Sequence, residues 1–140
     1  MYPREVKFVI CRDYREVAQA IADMVTQSDG PWLAAQQAMV LTAYQVQDQP
    51  SEQAKAILRE AATSVTRARP TTSERMAAVV QKVLDHAEAA LDRGEVVGPS
   101  VEKFVRECVD ATYQRARSIG ENVVVLLPEK VTILTQCFAE

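Results

Sequence analysis

At 140 residues the chain is long enough to bury a core of its own, and at 48% hydrophobic and 25% charged it has the composition of an ordinary globular protein. A net charge of −3 gives no support to nucleic-acid binding, and the longest apolar run, residues 123–128, is far too short to span a bilayer. Three widely spaced cysteines, one histidine and no CxxC pair argue against a disulfide framework or a zinc site, and fit free thiols in a reducing cytoplasm.

Met1 to Glu5 lacks the apolar core of a signal peptide, so the expected location is cytoplasmic. Val6 to Ile10 is a short β-prone stretch. Asp13 with Glu16 forms a capping-box pattern, and Val17, Ala20, Ile21, Met24 and Val25 follow at helical spacing, which predicts a helix over 13–27. The Gln27-Ser28-Asp29-Gly30-Pro31 segment breaks it, and Pro31 suits the first turn of the next helix. That helix, 31–47, is apolar on more than one side and is expected to be the central, most buried one.

Pro50-Ser51 starts a third helix, whose stripe of Ala54, Ile57, Leu58, Ala61, Ala62 and Val65 has small residues that allow close packing. Arg69-Pro70 ends it, because the residue before proline avoids the helical region. Thr71 with Glu74 is a second capping-box pattern, opening a long helix over 72–93. After a loop at 94–99, Ser100 is the expected cap of a last helix with Val101, Phe104, Val105, Cys108, Val109 and Thr112 on one face. Ile119-Gly120 is its expected end, with glycine in the left-handed position.

Val123 to Leu127 is another β-prone run, and Pro128 to Lys130 turns the chain into Val131 to Thr135. The pair reads either as a hairpin at the edge of the bundle or as a lead-in followed by a parallel-sheet strand. In the second reading Cys137 lies at the carboxyl end of the strand, where open α/β sheets bind ligands. The expected fold is mainly α: five helices in an N-terminal domain over 1–121, then a junction and the first strand of an incomplete Rossmann-like domain over 122–140. The remainder of that domain is expected to be missing or supplied by another chain.

Several separated segments resemble one family. The order Arg12-Asp13-Tyr14, Met24-Val25, Arg69-Pro70-Thr71, Ile119-Gly120-Glu121 and Ile133-Leu134-Thr135-Gln136-Cys137 is similar to that of the methylthioribose-1-phosphate isomerases. That family also holds ribose-1,5-bisphosphate isomerases and the regulatory subunits of eukaryotic translation initiation factor two B. The resemblance implies a helical domain followed by a Rossmann-like domain, and dimerisation. It also implies conversion of a phosphorylated aldose to its ketose with no cofactor. It makes Cys137 the catalytic thiol, working with an aspartate beyond Glu140, and Arg69 a phosphate ligand. Gln27-Ser28-Asp29-Gly30 stands where the enzymes carry an Arg-Gly-Ala segment that helps hold the sugar. Gln136 replaces a usual histidine, and Phe138-Ala139-Glu140 replaces the small residues and glycine that follow the cysteine. Both a divergent isomerase and a non-catalytic regulatory or assembly module fit these departures.

Each of these residues also has a plainer reading. A free cysteine such as Cys137 is most often a small buried hydrophobe. Arg69 has the planar fork that suits phosphate, and Thr71 begins a helix whose free N–H groups favour anions, but an arginine at a helix end is commonly just solvated. Thr135 can orient a substrate hydroxyl or simply belong to the strand. Cys11, Cys108 and His86 read as structural, Trp32 and Tyr44 as core or dimer contacts, and Arg115 and Arg117 as a solvated face.

Overall fold

A computed structural model describes residues 8–134 of the chain. Five α-helices follow in order: α1 Tyr14–Ala22, α2 Gly30–Val46, α3 Ser51–Arg67, α4 Ser73–Asp92 and α5 Val97–Val124. A single 3-10 turn, Pro70–Thr72, leads into α4. Among the described residues there is no strand, and no helix is long and apolar enough to cross a membrane.

The central helix is α2, which packs against all four others. Its sequence has no polar side wide enough to face water, so Trp32, Ala35, Ala38, Met39, Val40, Ala43 and Val46 are all buried. Around it, α3 contributes Leu58 and Val65 with the small residues Ala54, Ala61 and Ala62, which let it approach α2 and α4 closely. Met76, Val80, Val83 and Ala87 of α4, and Val97, Val101 and Val105 of α5, complete the core. Gly98 sits against α2 so tightly that a Cβ there would lie 2.8 Å from Tyr44 Cδ1.

The helix ends follow local chemistry. Asp13 caps α1 by accepting from the N–H groups of Arg15 and Glu16. Glu16 reaches back one residue further than a capping box requires and accepts from the N–H of Arg12 at 2.6 Å. The first helix ends at Ala22 rather than 27, closed by a Schellman pair in which Val25 N–H bonds Ala20 C=O and Met24 N–H bonds Ile21 C=O. Met24 takes the left-handed position there with φ 57°, and Ser28 repeats it with φ 54°. Gly94 (φ 72°) closes α4 by the same pair of bonds, from Glu95 and Gly94 to Ala90 and Leu91.

Three expectations need correction. The last helix begins at Val97, not after Ser100; Pro99 falls in its first turn, where a missing N–H is no loss. Nor does it end at Gly120. It runs through that residue to Val124 and so takes up the first half of the β-prone run 123–127, the rest of which is turn. Phe8 to Ile10 and Val131 to Leu134 are irregular, with no strand among the described residues to supply a ladder, since β-branched composition alone does not make a strand.

Only the first half of α5 is packed. Every residue from Tyr113 to Val124 is exposed, so the helix leaves the bundle as an overhang of about 18 Å at the usual rise per residue.

Candidate functional site

The Gln27–Gly30 loop and the Arg69-Pro70-Thr71 motif are some forty residues apart in sequence, yet Ser28 of the one and Pro70 and Thr71 of the other meet in space. Ser28, Pro31 and Trp32 at the start of α2 share one cleft of about 440 Å³ with Pro70, Thr71, Ser73, Glu74, Arg75 and Met76 at the start of α4. Two helix N-termini therefore open on the same space. Each leaves backbone N–H groups without an intrahelical partner, and each carries the positive end of a helix dipole.

The loop that forms one wall is fixed by its own packing. A Cβ on Gly30 would lie 2.7 Å from Thr26 Cβ, so only glycine fits where α2 begins. Asp29 does not leave a bare negative charge at the mouth: its Oδ1 is 3.1 Å from Nη1 of Arg75. The Arg75 guanidinium also lies 5.3 Å from the Trp32 ring centroid, within cation–π range. On the other wall, Thr71 is exposed and the Ser73 hydroxyl donates to the Pro70 carbonyl at 2.8 Å. Arg69 is half-buried in extended backbone (φ −141°, ψ 103°) immediately before the turn, and the cleft's lining starts with its neighbour Pro70.

Thr135 and Cys137 lie outside the described residues. Of the other two candidates, Thr71 lines the cleft and Arg69 does not, standing one residue before its lining begins. Among the described residues, no group of three or more His, Cys, Asp or Glu could hold a metal ion. Cys11 and Cys108 are free and half-buried. His86 stacks on Phe104 with ring centroids 4.3 Å apart and its Nε2 is 3.1 Å from the Ser100 hydroxyl, a packed position that fits a structural role.

Sequence reading missed Arg75 as a member of this site. The signal was present: Arg75, Val79 and Lys82 recur at i, i+4 and i+7, one face of α4, beginning three residues after the turn.

No family model, curated protein or solved structure matches this chain.

Proposed function

We propose that the chain is the helical portion of an aldose–ketose isomerase acting on a phosphorylated pentose, of the methylthioribose-1-phosphate or ribose-1,5-bisphosphate type. The observation that carries this reading is the joining of the 28–31 loop to the 70–76 segment in one cleft at two helix starts. The positive dipole ends of two helices favour an anion there, although Gly30 and Ser73 N–H already bond Gln27 and Pro70 C=O. The pairing of Asp29 with Arg75 offsets the charge that a carboxylate in this loop would otherwise set against a phosphate.

In this mechanism Arg69 holds the phosphate by its fork of donors, and the Thr71 hydroxyl donates to a phosphate oxygen. Thr135 orients a sugar hydroxyl. The ring C1–O4 bond opens while the phosphate stays on the C1 oxygen, and the Cys137 thiolate takes the proton from C2 and returns it to C1. The C2 hydroxyl proton passes to the ring oxygen, so that C2 becomes a ketone and C1 a CH2–O–phosphate, with no net oxidation and no cofactor. An aspartate of the Rossmann-like domain is the partner acid, and the working unit is a dimer or a chain completed by a partner.

The test is turnover of methylthioribose-1-phosphate and ribose-1,5-bisphosphate by the protein and two variants. Cys137→Ser should lower kcat by roughly 10²–10⁴-fold, the range for loss of a positioned acid–base group. Arg69→Ala should raise KM. Full activity in Cys137→Ser would remove the thiol from the mechanism.

A second reading is a non-catalytic regulatory or assembly module of the same family. The exposed apolar residues of the overhang and the segment after it, Ile119, Val124, Val125 and Leu126, favour it, because such surface commonly marks a contact with another body. Calorimetric binding of either sugar phosphate without turnover would select this reading.

A further inference from the structure

Where α5 diverges from the bundle it opens a second cleft of about 340 Å³ between α2, α4 and α5, which shares Trp32 and Arg75 with the first. We propose that this second cleft binds a small organic anion: a carboxylate or phosphate head on a compact apolar body. The proposal does not depend on the isomerase reading.

The lining carries three cations, Arg75, Lys82 and Arg115, and no acid. Arg75 is committed to Asp29. Lys82 and Arg115 are exposed, and neither forms an ion pair among the described residues. Two uncompensated positive charges at a mouth with apolar walls focus a field that draws in anions. Val79, Val83 and Phe104 supply those walls. Gln36, 2% exposed, lines the cleft as well, its amide N–H donating to the Trp32 carbonyl at 3.4 Å.

The second, independent observation is Trp32. Trp32 lines this cleft as well as the first, it is only 7% exposed, and its indole N–H is buried with no hydrogen-bond partner among the described residues. Buried donors are nearly always satisfied, and one left over at a cleft wall asks for an acceptor from outside. An oxygen of the ligand would meet it while the apolar body lies on Phe104 and Val83. The volume is at the lower end of those that hold small molecules, which limits the body to about one ring.

Trp32 is the only tryptophan and lines both clefts, so its fluorescence reports binding at either and the variants assign the cleft. The probes are phenyl phosphate and benzoate, with benzyl alcohol and inorganic phosphate as single-feature controls. Phenyl phosphate or benzoate should give a saturable change, with the controls at least tenfold weaker. Lys82→Gln/Arg115→Gln should weaken that binding at least tenfold, and Lys82→Arg/Arg115→Lys should restore it. Thr71→Val, which touches only the first cleft, should leave it unchanged. Both glutamine substitutions are at exposed positions, and far-UV circular dichroism checks that the fold is kept. A featureless titration, an undiminished affinity in the double glutamine variant, or loss of binding in Thr71→Val would overturn the proposal.

Discussion

The clearest case of one residue coupling charge to stability is Tyr14. It is buried at the start of α1, and its hydroxyl donates to Glu60 of α3, which Arg15 also holds at 2.9 Å. Burial, and then the hydrogen bond to Glu60, push the Tyr14 phenol up to about 12. The same bond, followed by Arg15, holds the Glu60 carboxyl below the usual carboxylate range. The signs are opposite in effect. A raised phenol stabilises the fold fully below its unfolded value near 10, and that contribution is lost as pH rises toward about 12. A lowered carboxyl stabilises above its unfolded value and loses that contribution in acid. Urea midpoints should therefore decline between about pH 10 and 12, beyond the decline common to any protein there. Tyr14→Phe should flatten that step. An unchanged alkaline profile in Tyr14→Phe would show that the phenol is not coupled to folding.

At the scale of elements, α5 comes close to α2 at Gly98. An added methyl would meet Tyr44 Cδ1 at 2.8 Å and Gln47 Oε1 at 2.9 Å, so one of them must move. Tyr44 is tied to Glu102 of α5 through its hydroxyl, which limits how far it can. Gly98→Ala is expected to destabilise by about 1–3 kcal/mol, the range for overpacking, although alanine is the better helix former. Equilibrium denaturation measures it directly. Much of this architecture was legible beforehand. Pro31 marked the start of α2, Arg69-Pro70 the end of α3, and the alanine stripe of α3 its buried face, because each signal is local and steric. Gly120 misled because a glycine ends a helix only when the following residues turn back to bond it. Here a Cβ added at Gly120 would meet nothing within 4 Å outside its own helix backbone, and the helix simply continues. Val123 and Val124 read as strand for their branching, yet among the described residues there is no sheet for them to join. The cleft was only half legible: its two segments could be named from residue type, but their meeting depends on how α2 and α4 cross, which no local pattern encodes.

Taken whole, the described residues form a packed bundle with an unpacked helical extension. These two parts should differ in stability, because the segment from Tyr113 to Val124 has no buried apolar contact to hold it beyond its own hydrogen bonds. Heating should produce an early, shallow loss of helical circular dichroism, with the bundle melting later. Trp32 lies in the bundle, so its fluorescence should report only the later transition. Coincident curves by both probes would mean that the extension is held as firmly as the core. The connection between α1 and α2 is different in kind. Met24 and Ser28 both hold left-handed backbone angles that cost an L-residue about 1–2 kcal/mol each, where glycine would adopt them freely. A chain retains such geometry only where its surroundings dictate it. The wall this connection gives to the first cleft is therefore shaped before any visitor arrives, and association there would carry little entropy penalty from ordering it.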